Sequence, residues 1–125
     1  MSQNRSSRRT FAKFIAAALM AGVGCVGAAY AQNYPAKPVT LVVPYPAGGA
    51  NDMLGRLIGQ KMSEALGQQF IIDNKPGAGT LIGGNIVAKA APDGYTLLVG
   101  GFASNAVSPI LFKADYDPLT AFEPI

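Results

Sequence analysis

Val39-Thr40-Leu41-Val42-Val43 is a run of five β-branched or aliphatic residues without the alternation of a half-exposed strand. That pattern predicts a strand buried on both faces, which belongs inside a parallel sheet flanked by helices. The run stops at Pro44-Tyr45-Pro46-Ala47-Gly48-Gly49 and gives way to a helical pattern. A strand that ends in a glycine-bearing turn at the mouth of a helix aims backbone N–H groups and the positive end of the helix dipole at one spot. A carboxylate or phosphate is the natural guest there, although Gly48 and Gly49 also suit a plain turn between two packed elements.

The module then repeats. Asn51 or Asp52 can cap the helix, and Leu54, Leu57, Ile58, Met62, Ala65 and Leu66 recur at the three-and-four spacing of one inward apolar face, with Gly67 as terminator. Gln69 to Asp73 predicts a second strand, Asn74-Lys75-Pro76-Gly77-Ala78-Gly79 a turn, and the following segment a helix with Ile82, Ile86, Val87 and Ala90 inward. Ala91-Pro92-Asp93-Gly94 is a tight turn, Tyr95 to Val99 a third strand, and Gly100 to Ala106 a flexible loop. Strands alternating with helices imply an α/β fold with a parallel sheet and right-handed crossovers. Ligands in such sheets bind outside the carboxyl ends of the strands, where the loops beginning near Pro44, Asn74 and Gly100 all lie. Lys113 to Ile125 carries turn chemistry without another strand. Three strands and two helices bury little, so the sequence reads as a chain cut short.

Residues 1–31 read as an export signal. Arg5, Arg8, Arg9 and Lys13 precede an apolar run from Phe14 to Val26, and Ala29-Tyr30-Ala31 supplies the small residues of a cleavage site after Ala31. A membrane anchor is the competing reading, against which the run is short and rich in Ala and Gly. Ser7-Arg8-Arg9-Thr10-Phe11-Ala12-Lys13 matches the twin-arginine export pattern except at Ala12, with Sec export as the alternative. Cys25 would suggest a lipoprotein were Gly22 not standing where a lipobox favours Leu. The expected product is an exported domain over 32–125 that is not a stable membrane protein.

Cleavage removes four of the ten basic residues and the one cysteine of a chain that has no His. The remaining six basic and seven acidic side chains leave one net negative charge. No basic stripe survives to hold nucleic acid, and no cysteine or histidine to build a disulfide or a metal site. An enzyme using Ala47-Gly48-Gly49-Ala50 as an oxyanion hole would lack a Ser-His or Cys-His pair and a Gly-x-Ser-x-Gly elbow. No catalytic residue, metal or cofactor is therefore expected. Gly22-Val23-Gly24-Cys25-Val26-Gly27 spells a dinucleotide fingerprint, but inside the signal. Gly77-Ala78-Gly79 with Gly83 is better placed, after a strand and before a helix. Phosphate contact, a second ligand-side loop and a close helix-to-strand approach all fit it.

Three segments in order and in register carry a resemblance. They are Tyr34-Pro35-Ala36-Lys37-Pro38 leading to Val43-Pro44-Tyr45-Pro46-Ala47-Gly48-Gly49 with Asp52; Asp73-Asn74-Lys75-Pro76-Gly77-Ala78-Gly79; and Ala91-Pro92-Asp93-Gly94-Tyr95-Thr96-Leu97-Leu98. Together they resemble the solute receptors of tripartite tricarboxylate transporters, the Bug or TctC-like proteins. The resemblance implies a type II periplasmic binding protein fold, of which 32–125 would be the N-terminal part of the first lobe. It also implies noncovalent capture of a small organic carboxylate in the periplasm, and delivery to the membrane subunits of the transporter. A truncated fragment that binds nothing is the alternative.

By the same resemblance the ligand carboxylate meets main-chain N–H groups and ordered water at Pro46, Ala47, Gly48 and Gly49, with Asp52 at the helix start. An ionised Asp52 cannot face an anion directly, so capping or orienting water is its expected role, beside a pure N-cap. Backbone donors can do this without a buried Arg, Arg56 lying one turn into the helix. Ser104 and Asn105 could donate to a bound acid or simply form a turn. Phe102 and Ala103 depart from the family's Gly-Thr-Ser type of loop, which weakens transfer of ligand identity.

Overall fold

The computed structural model describes residues 34–125; the export signal, its twin-arginine motif, Cys25 and the cleavage after Ala31 lie outside the described residues. Three parallel strands, β1 (Val39–Val43), β2 (Phe70–Asn74) and β3 (Thr96–Leu98), stand in the order β2-β1-β3. Val39 pairs with Phe70 and Val43 with Asn74, while Thr40 to Val42 pair with Thr96 to Leu98. The ladder runs on through Thr40 N–H to Tyr95 O and Val99 N–H to Val42 O. The central strand is thus the one with the unbroken apolar run, and Val39, Leu41, Val42 and Val43 are all buried.

Helices α1 (Ala50–Leu66) and α2 (Leu81–Ala88) connect the strands. One crossover steps from β1 outward and the next passes back over β1, so right-handed connections send the helices to opposite faces. Packing agrees with this. On one face a Cβ at Gly55 would lie 3.1 Å from Val43 Cγ2, and one at Gly59 would lie 3.2 Å from Leu41 Cδ1. On the other, Gly83 of α2 backs onto Pro44. Val39, Leu41 and Phe70 form the core with Met62, Ile72, Tyr95, Leu97 and Val99 packed against them.

Both helices correct the expected inward faces. In α1 the buried residues are Asp52, Gly55 and Gly59, while Leu54, Leu57, Ile58, Ala65 and Leu66 are exposed and Met62 is half-buried. In α2 the buried residues are Leu81, Gly83 and Gly84, while Ile82 and Ile86 are exposed; Val87 and, just past the helix, Ala90 are half-buried, in line with expectation. The physical reason is the same in each. Glycines let the helix backbone approach the sheet closely, and a glycine seam leaves no mark in a hydrophobic pattern.

One further segment differs from its sequence reading. The expected flexible loop after β3 is helical: a π-helical turn, Ala103–Val107, runs into the short α3 (Ser108–Leu111). The residues ahead of β1, from Tyr34 to Lys37, are pinned to the start of β3. Tyr34 Oη donates to Gly94 O at 2.5 Å, Ala36 N–H to Tyr95 Oη at 2.9 Å, and Lys37 Nζ sits 4.3 Å above the Tyr95 ring. The second strand begins and ends one residue later than predicted, and 113–125 forms no strand, as expected. Among the described residues no helix is long and apolar enough to cross a membrane.

Candidate functional site

The carboxyl edge of the sheet carries the loop from Tyr45 to Gly49, which is exposed from Pro46 onward. Gly48 takes φ +84°, a left-handed conformation that glycine adopts without steric cost. Its N–H donates to Asp52 Oδ2 at 2.8 Å. The N-cap is Gly49, in extended conformation and without a side-chain cap, which corrects the expectation of Asn51 or Asp52 there. Asp52 instead sits at the third helical position and reaches back past the cap. The first helical bond runs from Met53 N–H to Gly49 O at 2.9 Å. The N–H groups of Ala50, Asn51 and Asp52 precede it, as the orphan donors of a helix start do.

This geometry divides the loop residues by what each can offer an anion. Pro46 has no N–H, and its carbonyl faces the Gly49 N–H at 3.4 Å. The Gly48 N–H is committed to Asp52. Ala47 and the first turn of α1 are therefore the main-chain donors open to a guest, with the α1 dipole behind them.

Asp52 is buried, at 2% exposure, and its carboxylate is fully engaged. Arg56 Nε donates to Oδ2 at 2.9 Å and Asn74 Nδ2 to Oδ1 at 2.9 Å, in addition to the Gly48 N–H. The Arg56 hydrogen bond, then the Gly48 N–H and then Asn74 lower its pKa from 3.8 to about 2. The Arg56 guanidinium balances its charge, so the loop is not closed to anions by the carboxylate beneath it. Asn74 also donates to Tyr45 O at 3.2 Å and accepts from Arg56 Nη2 at 3.2 Å. Arg56 and Asn74 were not among the candidate residues. The four-residue spacing of Asp52 and Arg56 was the available sign of their pairing; nothing local to Asn74 announces a partner on another loop.

The second loop contains four consecutive residues of positive φ: Gly77 at 122°, Ala78 at 47°, Gly79 at 61° and Thr80 at 85°. Thr80 N–H closes the turn on Gly77 O at 2.9 Å. A Cβ on Gly77 would stand 2.6 Å from Ile82 Cδ1, and one on Gly79 would stand 2.6 Å from Phe112 Cε2. Gly83 fits the close-approach reading, since a Cβ there would meet Pro44 and Lys75 O.

Ser104 is buried and turned into its own loop: its Oγ accepts the Gly101 N–H at 2.8 Å and lies 2.9 Å from Asn105 Oδ1. Asn105 is exposed, with its amide over Gly100. The first and third loops adjoin where Gly101 backs onto the Tyr45 hydroxyl, and Phe112 reaches the second. The structure thus draws Gly48, Asp52, Arg56 and Asn74 into one bonded cluster, with Gly77–Gly79 and Ser104 on neighbouring loops. An open cavity of about 890 Å³ lies apart from this cluster, beside β3, lined by Val87, Pro92, Leu97, Asn105, Pro118 and Phe122 among others.

Comparison with known proteins matches residues 54–125 to a family model described as the tripartite tricarboxylate transporter family receptor, TctC. A UPF0065 protein of Bordetella bronchiseptica is 43% identical over 101 residues, 80% of this chain and 30% of that one. Among solved structures, MatC from Rhodopseudomonas palustris with bound malate superposes with a TM-score of 0.70 at 42% identity, over 74% of this chain and 32% of that one. R. palustris Rpa4515 with adipate gives 0.61 at 39% identity, over 70% and 29%. The periplasmic binding protein BugD gives 0.58 at 36%, over 74% and 31%. The chain spans 20–33% of the length of the relatives it matches.

Proposed function

The chain belongs to the tripartite tricarboxylate transporter receptor family, and from that membership we propose that it forms part of the first lobe of a periplasmic receptor for a small organic carboxylate. The observation that carries this reading is the α1 entrance. Ala50, Asn51 and Asp52 present N–H donors ahead of the first helical bond, above a Gly48 turn held by the neutralised Asp52–Arg56 pair. A carboxylate group there would accept main-chain hydrogen bonds and the helix dipole together.

Two of the structural relatives are described with malate and with adipate. We assign to this site the class those ligands share, a small aliphatic acid with at least two carboxylates. One carboxylate would sit at the α1 entrance, and the far end would be read by sequence outside this lobe segment. Asn105 and the Gly77–Gly79 loop are the flanking surface on that side, with Ser104 buried beneath Asn105 and bonded to it. Capture is noncovalent, with delivery to a membrane transporter as the role that family membership supports. Calorimetric titration of malate, adipate and citrate into the full-length protein tests it. Saturable one-site binding of at least one acid is expected; no binding of any, or turnover of an ester substrate, would refute it.

A further inference from the structure

The loops that follow β1 and β2 leave neighbouring strands at the carboxyl edge and lead to helices on opposite faces of the sheet. One side chain ties the two loops together. Asn74 ends β2 opposite Val43, and its amide makes three bonds to the β1 loop and α1: Nδ2 to Tyr45 O and to Asp52 Oδ1, and Oδ1 from Arg56 Nη2. Only a primary amide offers two donors and an acceptor at this reach. An Asp could not donate, a Ser has one proton, and a Gln would be a methylene too long.

From this geometry we infer that Asn74 is a positioning residue for carboxylate capture, holding Asp52 so that the Gly48 turn and the first-turn N–H groups of α1 stay presented at the carboxyl edge of the sheet. The inference rests on the function proposed above. It acts through a chain of contacts: Asn74 fixes Asp52 Oδ1, Asp52 Oδ2 fixes the Gly48 N–H, and Gly48 sets the path of the backbone into α1. Asn74 itself need not touch the ligand. A residue that merely stabilised the sheet would instead act on the β1–β2 ladder, whose nearest bond is Lys75 N–H to Val43 O at 2.8 Å.

Those two roles separate in the isosteric variant Asn74→Asp of the full-length protein, with Asn74→Ala replacing it should the aspartate not fold. Malate affinity is read by calorimetry, and amide exchange at Gly48 and Lys75 by NMR. We expect at least a tenfold loss of affinity and at least tenfold faster exchange at Gly48, with Lys75 protection retained. Unchanged affinity in a wild type that binds overturns the positioning role alone, as does an affinity loss matched by lost protection at Lys75. A wild type that binds no carboxylate, while Gly48 exchange still depends on Asn74, overturns the proposed function and leaves the tie a contact of the fold.

Discussion

The Gly48 N–H ends on Asp52 Oδ2 at 2.8 Å, so the turn before α1 is fastened by a residue inside the helix it introduces. A carboxylate at the third helical position satisfies a donor just outside the cap and also suits the positive end of the dipole. The same arrangement removes Gly48 from the donors a ligand could use. What remains is Ala47 and the first turn of α1, the latter held in place from below.

Gly48 tests the turn. A Cβ there meets nothing within 4 Å, so any cost comes from φ +84° and not from crowding. Gly48→Val should cost about 1–2 kcal/mol of stability through left-handed strain and should lose carboxylate binding. Gly48→Asn, which tolerates this conformation, should retain most of both. Urea denaturation and calorimetry on the pair check this; equal behaviour of Val and Asn would count against it.

Asp52 gives the protein an acid-sensitive element. Its folded pKa of about 2 lies below the ordinary 3.8, so between those values the unfolded chain binds the proton more readily. The stabilisation is complete above the ordinary value and is lost as pH falls through about 2. Denaturation measured across that range should show a steep acid limb, and Asp52→Asn should flatten it.

The glycine seam of α1 is open to a direct comparison. Gly59 faces Leu41 Cδ1 and Ile72 Cδ1, each 3.2 Å from where a Cβ would stand. Gly59→Leu should cost about 1–3 kcal/mol by overpacking. Leu57→Ser, on a side chain 57% exposed, should change stability by no more than about 0.5 kcal/mol. The reverse order in thermal melts would restore Leu57 to the inward face.

These residues also mark where the sequence was informative. The run Val39–Val43 and the turn chemistry at Gly67 and Asp93-Gly94 were enough to place three parallel strands and the helices between them, because hydrophobic continuity and breakers are local signals. The helix faces were not legible, because Gly55, Gly59 and Gly83 pack by being small. The glycine pair marked the turn between β1 and α1 at the carboxyl edge of the sheet. The Asp52–Arg56 pair follows the four-residue helical spacing, but the bond from Asn74 to Asp52 joins β2 to α1 across 22 residues of chain, and no spacing rule reports a contact of that kind.

Tyr116 offers a separate check on the packing of the last segment. Its hydroxyl is buried against Gly84 without a hydrogen-bond partner, and burial raises its pKa. Tyr116→Phe should leave stability unchanged or raise it by up to about 1 kcal/mol. A loss of more than that in urea denaturation would show that the hydroxyl is bonded.

The most direct test of the carboxylate site is an amide NMR titration of the full-length protein with malate, adipate and citrate. The account predicts that Ala50, Asn51 and Asp52 show the largest saturable shifts with at least one of these acids, as new hydrogen bonds form on their N–H groups. Saturable binding that leaves those three amides unmoved, with shifts gathered instead around Leu97 and Phe122 beside the β3 cavity, would contradict it.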